Sequence, residues 1–444
     1  MKRIALHNLG CKVNGYEMDV MQQRLKENGY EIVQFDETAD IYIINTCTVT
    51  NIADQKSRQM LHRAKKRNPE AIVVATGCYV QTDEAALLKD TSIDLIVGNN
   101  RKKDIVNILE EYLIAKENNN LSPEDKTLQD KTVIDINHTD EYEEMQLTST
   151  RENTRAYVKI QDGCNQFCSY CIIPYARGRA RSRKEEDIMT EVSGIATQGY
   201  KEIVLTGIHI SSYGIDRGER ELLQLLKKLN EVEGIERIRL GSLEAGIITE
   251  EFVSEISKLS RICPHFHLSL QSGCDDTLQR MNRHYTTREY LEKVEMLRKY
   301  FNKPAITTDV IVGFPGETEE EFMCTEKFLE KVNFYEMHIF KYSKRRGTRA
   351  AVMEDQIPDN IKSERSNRLI QLSDKMSRAY RQSLLGAEVE VLFEDKKEID
   401  GQEFQLGHTR QYIKVAKKTG KDLNNTIING ILTGFATDDI MLIN

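Results

Sequence analysis

Short apolar runs rich in β-branched residues alternate with helical segments twice along this chain, and that alternation restricts the folds open to it. Within residues 1–115 the runs are RIALHNL (3–9), DIYIINT (40–46), AIVVATG (71–77) and DLIVG (94–98). The segments between them, such as YEMDVMQQRLKENG and QKSRQMLHRAKKRNP, carry apolar residues at helical spacing and end at glycine or proline. Such alternation predicts an α/β fold, here an N-terminal doubly wound parallel sheet. Residues 116–150 are polar and acidic and read as a linker or loosely held connection. Over 151–376 the alternation resumes, with strand candidates at 155–161, 202–208, 237–243, 265–271, 305–314 and 334–340. Six βα units predict a central partial barrel, (βα)6, with its active face at the C-terminal strand ends. A second doubly wound domain is the alternative. Residues 377–444 lose the helical period and show strand-like patterning with Gly and Asn turns, which predicts a small OB-like β-barrel.

A chain of 444 residues suits roughly three domains. The formal net charge of −8 excludes a uniformly basic nucleic-acid binder, so any such partner must be held by local patches. The N-terminus has no signal-peptide h-region, and no apolar run approaches the roughly 20 residues that span a bilayer. A cytoplasmic location is expected, with no membrane partner and with the nine cysteines reduced.

Six of those cysteines form two sets. Cys164, Cys168 and Cys171 follow the first barrel strand in DGCNQFCSYC, a C-x3-C-x2-C spacing in a βα loop. A structural zinc site and a simple electron-transfer cluster would each take four ligands. Three thiolates on a 4Fe-4S cube leave one iron open; a zinc site borrowing a histidine is the bland alternative. Cys11, Cys47 and Cys78 are far apart in sequence, yet each ends an apolar strand, in NLGC, INTC and ATGC. Parallel strands end on one edge, so the three converge there. Singly, each could be a small buried hydrophobe; together, they predict a second three-thiolate cluster.

The C-x3-C-x2-C spacing with Tyr170 before the last cysteine resembles the radical S-adenosylmethionine (SAM) enzymes. Two triads followed by a β-barrel resemble the radical SAM methylthiotransferases over nearly the whole chain. The resemblance divides it into a methylthiotransferase N-terminal domain (1–115), a linker (116–150), a radical SAM core (151–376) and a TRAM-type RNA-binding domain (377–444). LGCKVNGYEMD (9–19) is most similar to the branch acting on N6-threonylcarbamoyladenosine. The resemblance implies two 4Fe-4S clusters and SAM as cofactors. One SAM methylates sulfur held on the N-terminal cluster, and a second supplies a deoxyadenosyl radical at the other. The implied reaction is methylthiolation of C2 of that nucleoside at position 37 of tRNAs reading codons that begin with A. Isopentenyladenosine in tRNA or a ribosomal-protein aspartate are alternative targets. A non-catalytic iron-sulfur RNA-binding or redox-sensing protein is the alternative of another class. An electron donor such as flavodoxin and action as a monomer are expected.

At the barrel mouth the Gly-Gly-Glu that many radical enzymes carry is absent. Gly207 stands in its place, and Ser242, Glu244 and Gln271 are cofactor-binding candidates against ordinary loop hydrogen bonding. His209, His265 and His267 are expected in core or loop roles, and Cys263, Cys274 and Cys324 in structural ones. Three basic segments read as an RNA footprint: ARGRARSRK with Arg177 and Arg179, KYSKRRGTR with Arg345 and Arg346, and HTRQYIKVAKKTGK with Tyr412 and Lys414. Lys12, Asn14 and Asn45 are candidate donors to a polar substituent on the substrate base.

Overall fold

Both alternating stretches form parallel sheets in a computed structural model that describes residues 1–118, 132–148 and 154–444. The N-terminal sheet has five strands: β1 (Arg3–Asn8), β2 (Glu31–Val33), β3 (Ile41–Thr46), β4 (Ile72–Gly77) and β5 (Leu95–Val97), in the order β2-β1-β3-β4-β5. Successive side chains on a strand face opposite ways, so a sheet covered on both sides needs apolar residues at every position. Ile43 and Val74 pack with Tyr16 and Val20 of helix α1 (Lys12–Glu27), while Tyr42, Ile44 and Val73 pack with Leu61 and Ala64 of helix α2 (Asn51–Arg67). Helix α2 starts where Thr50 Oγ1 accepts the Ala53 amide at 3.1 Å.

The central domain has six parallel strands, β6 (Arg155–Asp162), β8 (Glu202–Gly207), β9 (Arg237–Leu240), β10 (His265–His267), β11 (Ala305–Val312) and β12 (Glu336–Lys341). The short β7 (Arg181–Ser182) adds antiparallel to the β6 edge, and single bridges Ile238–Ile262 and Leu243–Leu268 join the two halves of the partial barrel. Ala156, Val158 and Ile160 face outward onto Ile188, Val192 and Ile195 of the helix Glu185–Thr197. The intervening residues therefore face the lumen, which carries Lys159, Arg239, His267, Asp309 and His338. Helix α1 closes the lumen beside β6, where Glu17 accepts from Lys159 at 2.8 Å.

The described part of the expected linker, residues 132–148, is a belt packed on the protein. Met145 and Leu147 are fully buried against the N-terminal sheet, and the Tyr142 hydroxyl donates to the Lys159 carbonyl. Its acidic composition hid a few well-spaced anchors; residues 119–131 and 149–153 lie outside the described set.

A long helix (Asp359–Gln382) leads into a closed five-stranded barrel: β13 (Glu388–Ile399), β14 (Gln402–Thr409), β15 (Lys414–Lys417), β16 (Ile427–Phe435) and β17 (Met441–Ile443). It docks on the strand starts of the central domain through Arg237, which donates to the Glu390 carboxylate and backbone and to the His408 carbonyl, each at 2.9 Å.

Candidate active site between two cysteine triads

Strand register brings the first triad together. Asn8 pairs with Asn45 and Thr46 with Gly77, so Cys11, Cys47 and Cys78 leave β1, β3 and β4 on one edge. Gly10, at φ +121°, lets the chain cross Cys47: a Cβ there would lie 3.3 Å from its sulfur. Asn14 and Asn45, read from the sequence as donors to substrate, are instead used up inside the fold. Asn14 donates to the Leu9 and Thr46 carbonyls at 3.0 Å, and Asn45 to the Asn14 carbonyl at 2.9 Å. Lys12 is exposed at the start of α1.

Arg177 also departs from its sequence reading. It is fully buried, and its guanidinium donates to the Cys78 sulfur at 3.3 Å, to Asn14 at 2.6 Å, to Glu17 at 2.5 and 3.0 Å and to Asp162 at 3.1 Å. Lys102 and Lys159 complete the cage around Glu17. Despite burial, these cations hold Glu17 well below the usual carboxylate range and Asp162 down to about 2. Arg181 and Arg183 are likewise buried, which leaves Arg179 as the exposed arginine of that segment, over the Phe167 ring at 4.5 Å.

The second triad occupies the loop after β6. Gly163, at φ +70°, is forced there, since a Cβ would fall 1.8 Å from the Arg179 carbonyl oxygen. The Cys171 amide closes a turn onto the Cys168 carbonyl at 3.0 Å, and Ser169 is tied to Met281 and Arg280. Burial pushes the thiols of Cys164 up to about 11 and of Cys171 up to about 12, so a positive centre is needed before they ionise. Arg283 supplies one cation, donating to the Cys168 sulfur at 3.2 Å while paired with Glu244. Cys164, Cys168 and Cys171 line a cavity of about 190 Å3 with His209, Ser242, Glu244 and Gln271. His209 Nε2 is buried there without a protein partner, an opening for a polar ligand. Gly207 is absent from the lining; a Cβ on it would lie 2.9 Å from Ile210 Cγ2 and the Gln161 carbonyl oxygen, so it serves packing.

Each triad offers three soft thiolates, one short of the four ligands a closed structural zinc takes, and that donor set suits an iron-sulfur cluster with one iron left open. Between the triads lies a second cavity of about 250 Å3. Its walls are Tyr170 and Ile173 of the radical loop, Val49 and Thr50 just after Cys47, and Asp309 and Phe340 of the lumen. A planar base could enter here and touch both sides.

Two further RNA candidates are engaged within the protein, one buried and one half-buried. Arg345 is buried and tied to Asp54, Asn51 and Thr48 across the domain boundary. The Tyr412 ring already sits between Arg155 and Arg239, at 5.0 and 4.6 Å, and stacks on His408. Arg346 is exposed and Lys414 partly so. Sequence reasoning missed Arg283, which stands in no motif, and gave His209 a core or loop role, whereas it lines the cavity beside the second triad.

Residues 158–329 match the radical SAM superfamily, and residues 3–98 match a family described as uncharacterized protein family UPF0004. The threonylcarbamoyladenosine tRNA methylthiotransferase MtaB of Bacillus subtilis is 42% identical over 430 residues, covering 96% of this chain and 93% of the relative. The chain belongs to the radical SAM tRNA methylthiotransferases. A tRNA-2-methylthio-N(6)-dimethylallyladenosine synthase from Thermoanaerobacter pseudethanolicus is 39% identical, covering 88% of this chain and 81% of that one. In fold, this methylthiotransferase is similar to the radical SAM methyltransferase TsrM from Kitasatospora setae, solved with cobalamin and a 4Fe-4S cluster (TM-score 0.56, 14% identity, 79% of this chain and 77% of that chain). Membership of the radical SAM family implies a 4Fe-4S cluster and SAM. Among the described residues, no helix of the methylthiotransferase is long and apolar enough to cross a membrane.

Proposed function

We propose that this methylthiotransferase acts on C2 of N6-threonylcarbamoyladenosine, at position 37 of tRNAs reading codons that begin with A. The observation that carries the reading is the cavity bounded by Cys171 on one side and by Val49 and Thr50, just after Cys47, on the other, on a chain whose relatives named for that nucleoside are 42% and 40% identical over 96% of it. Cys164, Cys168 and Cys171 would hold the 4Fe-4S cluster, which when bound supplies the electron that splits SAM into a carbon radical. Ser242, Glu244, His209 and Gln271 flank the space for SAM. Cys11, Cys47 and Cys78 would hold a second 4Fe-4S cluster beside the sulfur to be transferred, where soft thiolate ligation suits iron. Arg177 and Arg283 donate to the sulfurs of Cys78 and Cys168 and orient them. Tyr170, Ile173 and Phe340 keep water from the base. Arg179, Arg346 and Lys414 supply phosphate contacts. A flavodoxin-type donor and a monomeric enzyme in the cytoplasm complete the reading.

The test compares nucleosides from tRNA of cells with and without the gene by mass spectrometry. Loss of the methylthio form of threonylcarbamoyladenosine alone is expected; loss of the isopentenyl counterpart alone refutes the reading. Replacing Cys11, Cys47 and Cys78 together with Ala should remove about half the iron. Cleavage of SAM should survive while sulfur insertion is lost.

A further inference from the structure

Three polar side chains line the lumen beside the cavity between the triads, and the cysteine chemistry uses none of them. His267 lies on β10, Asp309 on β11 and His338 on β12, with Asp309 and His338 directly paired in register. One ligand atom from each lies within 4.8 Å of the other two. His267 Nε2 is 3.3 Å from Asp309 Oδ2, its Nδ1 is 3.1 Å from Thr307 Oγ1, and its ring stacks on His338 at 5.8 Å. Asp309 also lines the cavity, so the patch borders it. His338 is exposed on the edge strand, and the other two are partly so. His265, at the start of β10, has no partner on Nδ1, and burial first, then the charges of Arg239 and Lys12, hold its imidazole well below the ordinary value. Arg239 is paired with Glu202, whereas Lys12 forms no ion pair among the described residues.

We propose that His267, Asp309 and His338, with Lys12 behind them, form the subsite for the substituent on the adenine N6, and that this subsite takes a polar acyl group bearing a carboxylate. The assignment rests on the cavity being the adenine site of the proposed reaction. Asp309 accepts from the N–H groups of a ureido linkage. The His338 imidazole N–H and the Lys12 ammonium donate to its carbonyl and carboxylate, while His267 holds Asp309 in place. An isopentenyl chain would cover these groups and return no hydrogen bond, which is how a polar site rejects an apolar analogue.

The test uses purified, cluster-loaded enzyme and two tRNAs, one carrying threonylcarbamoyladenosine and one isopentenyladenosine. His338→Leu and Asp309→Leu should lower kcat/KM on the first by at least about tenfold, chiefly through KM. Both should raise relative turnover of the second, and His338→Gln, which keeps a donor, should restore much of the loss. Iron per chain and melting temperature, read in parallel, show whether each variant has folded. Variants that convert the first tRNA as the parent does overturn the subsite. So does one equivalent of zinc or manganese beyond the cluster iron, present in the parent and lost in His338→Leu, since a cation would then own the three donors. A parent enzyme that ignores threonylcarbamoyladenosine while using isopentenyladenosine overturns the proposed function itself.

Discussion

A guanidinium shut away from water must find anions or acceptors on every side, and Arg177 finds Glu17, Asp162, Asn14 and the sulfur of Cys78. Removing one partner of such a buried group costs about 3–5 kcal/mol, because the others are left uncompensated. Arg177→Met should therefore lower stability and deplete iron at the N-terminal site, which iron analysis and the paramagnetic signals of the two clusters would show. Salt titration separates this role from RNA contact. Arg346→Gln should reduce the slope of log affinity for tRNA against log salt by about 1, whereas Arg177→Gln, in folded protein, should leave it alone. An equal drop in both slopes would return Arg177 to the RNA surface. The sequence could not make this distinction. A run of arginines looks the same whether it faces solvent or a cage, and the carboxylate that decides the matter lies 160 residues away.

The loop after β11 shows how an element can carry a pH dependence. Glu317 accepts the amides of Gly313 and Phe314 on one oxygen, within a buried turn. Burial pushes its carboxyl up to about 7, against an ordinary 4.5, although Arg365 and the two amides oppose the shift. A carboxyl raised in the folded state binds more protons there than in the unfolded chain. Its contribution is complete below pH 4.5 and is lost as pH rises through 7, at most about 3 kcal/mol. Glu317→Gln keeps the acceptor and removes the titration, so the fall in melting temperature between pH 5 and 7.5 should flatten. A parallel fall in parent and variant would place the dependence elsewhere. At this scale the sequence was most legible where both faces of an element are buried. Ile41–Thr46 and Ile72–Gly77 read as strands because nearly every residue is apolar or small. It was least legible in the belt, where Ile136, Tyr142, Met145 and Leu147 are scattered among acids without a period. The cysteine loop was legible because its spacing is local; the lumen patch was not, because each strand contributes a single polar residue to it.

Across the whole molecule, the C-terminal barrel completes the central domain's electrostatics as well as adding surface. Arg155 pairs with Glu394, Arg237 with Glu390, and Arg239 donates to the Thr409 and Arg410 carbonyls. A chain ended at Gln382 would leave three buried or nearly buried arginines short of acceptors. It should melt at least about 3 °C below the full chain, beyond the loss of the barrel's own transition; an unchanged central-domain transition would show the docking to be dispensable. The cage around Glu17 has a different kind of consequence, in the order of biosynthesis. Its cations arrive 85, 142 and 160 residues after it. A nascent chain emerges from the ribosome N-terminus first, and domains generally settle in that order. Here the first sheet can form early, but the site at Cys78 lacks its guanidinium until the loop bearing Cys164, Cys168 and Cys171 has itself been made. The half of the enzyme that is translated first therefore cannot complete its site until the second half has begun to emerge.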